Sequence, residues 1–81
     1  MKPEKILKRL LSSQKNIRFD DLKKLILAFG FRLSRINGSH HIFTQPMLEE
    51  LINIQEVNGE AKPYQIRQFL KVVERYNLKL E

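Results

Sequence analysis

Two adjacent histidines are the side chains in this sequence best suited to acid–base chemistry. They stand in the run Gly38-Ser39-His40-His41. Imidazole takes up and releases a proton near neutral pH, so a histidine at a hairpin corner is a candidate general acid or base. Successive residues of a strand lie on opposite faces of the sheet, so only one of the two can serve a given site. The alternative is that both are ordinary strand residues, one packed and one exposed.

Other kinds of site are poorly supported. The chain has no cysteine, which excludes disulfides, thiolate metal sites and thiol nucleophiles. The histidines lack the usual spacing of zinc ligands, and we predict neither a metal nor a cofactor. Ser39 has no neighbouring acid to complete a catalytic triad. The scattered glycines, at positions 30, 38 and 59, do not form a phosphate-binding loop.

A predicted β-hairpin positions the histidines. Phe31–Ile36 is predicted as its first strand and Ser39–Gln45 as its second, because Asn37-Gly38 between alternating segments is a strong hairpin pattern. Alternation places His40 with Ile42 and Thr44, and His41 with Phe43. A third strand is predicted over residues 51–57, where apolar and polar residues alternate and Asn58-Gly59 follows.

Three helices are predicted around this sheet. Apolar residues at helical spacing indicate helices at Pro3–Leu11, Phe19–Phe29 and from Pro63 to about residue 76. The predicted order is α-α-β-β-β-α, an α+β fold in which a three-stranded antiparallel sheet packs on two helices and leaves one face free. The N-terminal helix and its polar connector, residues 1–16, are predicted as an addition to a domain spanning residues 17–81.

Charge and length limit the partners. The chain of 81 residues has a net charge of +6. Its first 35 residues hold ten basic and three acidic residues, giving +7, whereas the remainder is at −1. Such a field attracts polyanions, although lysines can also serve only to keep a small domain soluble. The absence of cysteine makes the cytosol the expected compartment. No run approaches the roughly twenty apolar residues of a membrane span, so we expect no membrane contact.

The segment from Phe19 to Pro46 resembles the HicA toxin family of bacterial toxin–antitoxin systems. The family pattern is a short helix ending in a glycine–aromatic pair, a strand bearing arginine, then Gly-Ser-His, apolar residues and a proline. Here it is written as Phe29-Gly30-Phe31, Arg35, Gly38-Ser39-His40, Ile42-Phe43 and Pro46. The resemblance extends over most of the chain after Ile17.

The resemblance implies a fold similar to double-stranded RNA-binding domains and a ribonuclease that cleaves messenger RNA. It also implies restraint by a partner antitoxin of the HicB type. The family's catalytic histidine is that of Gly-Ser-His, which corresponds to His40 and not to His41. Two features depart from the family: residues 51–55 lack its valine–proline strand and second histidine, and the helix before Asn16 is extra.

We therefore predict metal-independent RNA cleavage with His40 as general acid or base. The predicted RNA-binding residues are Arg35 as the nearest cation, Lys23 and Lys24 on the second helix, and Gly38 and Ser39 beside the histidine.

Two other functions remain open at the level of sequence. A non-catalytic module could bind duplex RNA through its shape, its phosphates and its 2′-hydroxyls. A protein-interaction module could instead dock the stripe of Leu7, Leu10 and Leu11 on another chain. The added helix leaves a homodimer, or a hetero-oligomer with the antitoxin, equally open.

Overall fold

Two helices, a four-stranded antiparallel sheet and a third helix follow one another along the chain, as a computed structural model covering residues 1–81 shows. In chain order they are α1 (Pro3–Ser12), α2 (Phe19–Ala28), β1 (Arg32–Asn37), β2 (His40–Thr44), β3 (Ile52–Val57), β4 (Glu60–Ala61) and α3 (Pro63–Arg75). The strands are ordered β1-β2-β3-β4, and every pair is antiparallel. The predicted α+β class is confirmed, and the sheet has one strand more than the three predicted.

Local chemistry explains where the helices begin and end. Pro3 and Pro63 occupy the first turns of α1 and α3, where a missing amide proton costs no helical hydrogen bond. Asp20 and Asp21 lie in the first turn of α2, where negative charge offsets the helix dipole. After α2 the chain turns at Gly30, whose φ of 94° suits a residue without a Cβ atom.

One hydrophobic core joins the helices to the sheet. Sixteen buried residues form it, including Phe43 on β2 and Ile54 on β3. Ile6 and Leu10 of α1 belong to the same cluster, so α1 packs into the core. Of the leucine stripe of α1, Leu10 is buried and Leu7 packs against the core, whereas Leu11 is exposed. That residues 17–81 form a domain to which residues 1–16 are an addition stays a prediction.

The fourth strand follows an Asn-Gly turn at the end of β3. Asn58 and Gly59 both have positive φ, 53° and 78°, as the central residues of a type I′ hairpin turn do. The strand that follows has only two residues, too few for alternation to be recognised in the sequence. The connector before α2 lies along its edge, because Phe19 N donates to Gly59 O and Ala61 N donates to Ile17 O, both at 2.9 Å.

The first hairpin turns one residue later than predicted. Asn37 is the last residue of β1 and pairs with His40, so the two turn residues are Gly38 and Ser39 rather than Asn37 and Gly38. Gly38 supplies the positive φ, 65°, at the first central position, where a type II′ turn requires it. The later turn moves Arg35 from a position directly opposite His40 to one opposite Ile42.

A β-bulge in β1 decides which of its side chains share a face. The register is Leu33 opposite Phe43 and then Arg35 opposite Ile42, so Ser34 is the extra residue. Strict alternation would place Arg32 and Arg35 on opposite faces. The bulge restores Arg32, the partner of Thr44, to the face that Arg35 occupies.

None of the three helices has the length and apolar composition that crossing a membrane requires.

Candidate functional site

The two histidines of β2 lie on opposite faces of the sheet. His41 shares the covered face with Phe43, which is completely buried, and its ring meets that of Phe19 on α2 edge-on at 4.7 Å between centroids. Nδ1 of His41 is buried without a hydrogen-bond partner. His41 is therefore a packing residue under the helices, and His40 faces the other way.

The other side of the sheet is called the open face from here on. The register assigns to it Arg32, Arg35 and Asn37 of β1, His40, Ile42 and Thr44 of β2, and Asn53 and Gln55 of β3. Ile42 is only 8% exposed yet lies outside the main core cluster, so it forms a small apolar centre among polar neighbours. The open face is thus polar and basic around one aliphatic side chain.

Two amide side chains of β3 hold the start of β2. Nδ1 of His40 lies 3.1 Å from Oδ1 of Asn53, within hydrogen-bond distance. Nε2 of Gln55 donates to Oγ of Ser39 at 3.1 Å. The sequence reasoning missed both amides. The sequence alone shows that Asn53 and Gln55 alternate with Ile52 and Ile54. Their hydrogen-bond partners, however, depend on the pairing of β3 with β2.

The hydrogen bond to Asn53 has a consequence for the chemistry of His40. An amide oxygen only accepts, so this hydrogen bond requires the tautomer of His40 in which Nδ1 carries the proton. In the neutral ring Nε2 then carries the lone pair, and Nδ1 is its only ring nitrogen with a hydrogen bond to the protein. A neutral imidazole held in this way can accept a proton at Nε2.

Two arginines share the open face with this imidazole. Arg35 is opposite Ile42 and is therefore a diagonal neighbour of His40, which is two residues before Ile42 on β2. Arg32 is opposite Thr44. Diagonal neighbours in a sheet lie roughly 7–8 Å apart at their Cα atoms, within reach of a long side chain. Both arginines are exposed. The open face can therefore bring positive charge to a phosphate beside His40.

The remaining predicted residues fall into two groups. Gly38 and Ser39 form the turn next to His40, and the space around Gly38, where a Cβ atom would stand, is empty. Lys23 and Lys24 lie on α2, which packs against the covered face. The structure thus brings Arg35, Gly38 and Ser39 to His40 and leaves the two lysines on the other layer.

The open face is a surface rather than a pocket. A groove of about 210 Å³ lies between β3 and α3, and Asn53 and Gln65 are among its lining residues while His40 is not. We assign the candidate site to the open face because a polymer can lie across a surface that a small groove cannot enclose. The structure brings no three residues of the His, Asp or Glu types together in a metal-binding cluster.

Comparison with known proteins supplies the family. The family model described as the HicA toxin of bacterial toxin–antitoxin systems matches residues 19–74, from the start of α2 almost to the end of α3. No curated protein and no solved structure is significantly similar to the chain. The match spans more than half of the 81 residues and includes Gly38, Ser39 and His40. The chain therefore belongs to the HicA family of toxins of bacterial toxin–antitoxin systems.

Proposed function

We propose that this toxin is a ribonuclease that cleaves messenger RNA on the open face, with His40 as its acid–base group. One observation carries the proposal: of the two adjacent histidines, His40 lies on the polar, basic face with Nε2 free of protein hydrogen bonds. His41 lies on the covered face instead, where its ring packs against Phe19 and its Nδ1 is buried.

The reaction follows from the groups on that face. Nε2 of His40 takes the proton of a ribose 2′-hydroxyl, whose oxygen attacks the adjacent phosphorus. The bond from phosphorus to the 5′-oxygen breaks, and that oxygen is protonated by the imidazolium or by water. Arg35 stabilises the negative charge on the phosphorane, and no step requires a metal ion. The products are a 2′,3′-cyclic phosphate and a free 5′-hydroxyl.

The proposed RNA contacts fall into two groups, one beside the scissile bond and one farther along the RNA. Arg32 and Arg35 contact phosphates next to the scissile bond, and Gly38 and Ser39 let the backbone approach closely. Lys23 and Lys24 contact flanking phosphates only of an RNA that continues around the sheet to α2. As a family toxin the protein is proposed to act in the cytoplasm and to be restrained by an antitoxin of the HicB type.

The decisive experiment compares His40→Ala with His41→Phe, which keeps a ring against Phe19. We expect His40→Ala to lower the cleavage rate by about 10²–10⁴-fold, the usual contribution of one acid–base group. His41→Phe should cleave at the wild-type rate. Thermal unfolding of both variants checks that the fold is retained. Wild-type cleavage by His40→Ala would refute the assignment.

Product chemistry and metal dependence test the mechanism separately. A cyclic phosphate terminus and no cleavage of a 2′-deoxy substrate are expected, because the 2′-hydroxyl is the nucleophile. Activity in excess chelator is expected to equal that without it. Full activity on the deoxy substrate would contradict attack by the 2′-hydroxyl, and loss of activity in chelator would contradict a metal-independent step.

A non-catalytic RNA-binding module is the second candidate, and the absence of a pocket around His40 favours it. Such a module binds RNA with a strong dependence on salt but gives no turnover. Binding by the wild type without any cleavage product, under conditions in which His40→Ala binds equally well, would decide for this alternative.

A further inference from the structure

We propose that Asn53 is a positioning residue that holds His40 in the tautomer with the proton on Nδ1. The inference rests on the proposed function, because it concerns how His40 is prepared for proton transfer. Its first observation is the contact of 3.1 Å between Oδ1 of Asn53 and Nδ1 of His40.

The contact links two strands through a diagonal of the sheet. Asn53 is opposite Ile42 in the register, and His40 is two residues before Ile42 on the same strand. The two side chains therefore share the open face without being direct partners. The direct partner of His40 on β3 is Gln55, whose amide is used by Ser39. The two amides thus have different partners: Gln55 holds the turn through Ser39, and Asn53 holds the imidazole ring of His40.

Asn53 has little to do for the fold itself. Its side chain is exposed, and its only hydrogen bond to the protein is the one to His40. Asparagine is also among the residues depleted from strands, so its presence at the second position of β3 costs stability rather than supplying it. A residue that breaks a local preference without a packing gain marks a functional position.

A neutral amide suits a group that must both gain and lose a proton. The hydrogen bond at one ring nitrogen decides which tautomer an imidazole adopts, and it leaves Nε2 as the acceptor. A carboxylate in the same place would do this too, but it would also stabilise the imidazolium and keep the ring protonated to higher pH. Asn53 fixes the orientation of His40 without adding that charge.

The first test observes the tautomer directly and needs no RNA. We would measure the ¹⁵N chemical shifts of the two ring nitrogens of His40 in the full chain at a pH where the ring is neutral. The expected result is a protonated Nδ1 and an unprotonated Nε2 in the wild type, and a mixture of both tautomers in Asn53→Leu. The opposite tautomer in the wild type, or the same tautomer in both proteins, overturns the proposal.

The second test uses kinetics with a matched control. Asn53→Leu is expected to lower kcat by roughly 10–100-fold with KM unchanged, by analogy with the loss on removing the outer partner of a metal-binding histidine. Gln68→Leu removes an exposed amide from α3 and should leave both constants at their wild-type values. An Asn53→Leu protein with wild-type kcat overturns the proposal.

A conservative variant separates positioning from a structural role. Asn53→Asp retains the acceptor oxygen, so kcat at its optimum should return to within a few-fold of the wild type. The acidic limb of its pH–rate profile should move to higher pH, because the carboxylate favours the imidazolium. An unshifted profile, or a kcat as low as that of Asn53→Leu, argues against the proposal.

Failure of the inference and failure of the proposed function give different results. If the protein is only an RNA-binding module, the wild type and all variants give no product, while the ¹⁵N measurement still reports the tautomer. If His40 is catalytic but Asn53 does not orient it, His40→Ala is inactive while Asn53→Leu keeps wild-type kcat and tautomer.

Discussion

The two faces of the sheet treat the same residue type in opposite ways. On the covered face His41 lies against Phe19, and its Nδ1 is buried without a partner. On the open face His40 has a partner for Nδ1 in Asn53 and keeps Nε2 free. The side of the strand on which a histidine lies, and not its residue type, therefore decides which groups surround its ring.

The same contrast holds for the amides. Gln65, the single buried polar residue of the chain, stands on the helix side and accepts the backbone N–H of Gln55 through Oε1 at 2.7 Å. Asn53, on the open face, contacts His40, the acid–base group of the proposed mechanism. A change at Gln65 should therefore affect stability, and a change at Asn53 should affect rate.

The largest of the effects on stability is expected at Gln65. Gln65→Leu removes the acceptor for the N–H of Gln55 at an edge of β3 that the two-residue β4 does not cover. An unpaired, partly buried donor should lower the free energy of unfolding by about 1–3 kcal/mol. Urea denaturation measures the change.

The matched control for that prediction is Gln68→Leu, an exposed glutamine of the same helix. Its free energy of unfolding should stay within about 0.5 kcal/mol of the wild type, as is usual for surface substitutions. Equal stability of the two variants would mean that the hydrogen bond from Gln55 to Gln65 does not protect the edge of β3.

A smaller effect of opposite sign is expected at His41. His41→Phe replaces a buried nitrogen that lacks a partner with carbon of similar shape, which removes a desolvation cost. The free energy of unfolding should rise by about 1 kcal/mol. Thermal and urea unfolding measure it, and His40→Phe on the open face is the control, for which no gain is expected. A loss of stability in His41→Phe would show that Nδ1 of His41 has a partner in solution.

Much of the fold could be predicted because it depends on short-range patterns. Apolar spacing located all three helices, and alternation located β1, β2 and β3 to within a residue or so at each end. The strand β4 could not be found in this way, because two residues carry no periodicity. The turn Asn58-Gly59 that precedes it has the same dipeptide as Asn37-Gly38, but without a recognisable strand after it the dipeptide predicts only the end of β3.

The candidate site was predictable only in part, because much of it depends on register. Alternation separated His40 from His41, and the family resemblance chose between them. The position of Arg35 depended on whether the turn used Asn37-Gly38 or Gly38-Ser39, and the position of Arg32 depended on the bulge at Ser34. Asn53 reaches His40 only because β3 pairs with β2 in the observed register, which no local pattern encodes.

The mildest change tests whether RNA stays on the open face. Arg35→Gln removes one cation beside His40, and Lys24→Gln removes one from α2 on the other layer. For a single-stranded RNA each lost phosphate contact should lower the slope of log affinity against log salt concentration by about 0.7. Filter binding or fluorescence anisotropy of the His40→Ala protein at several salt concentrations measures the slope without cleavage.

The two variants then separate the paths that RNA can take. A slope reduced in Arg35→Gln alone restricts the RNA to the open face and removes the proposed role of Lys24. Equal reductions in both mean that the RNA continues around the sheet to α2, as contacts to Lys23 and Lys24 require. An unchanged slope in Arg35→Gln would contradict the phosphate contact proposed beside His40, because a guanidinium that touches a phosphate displaces a counterion.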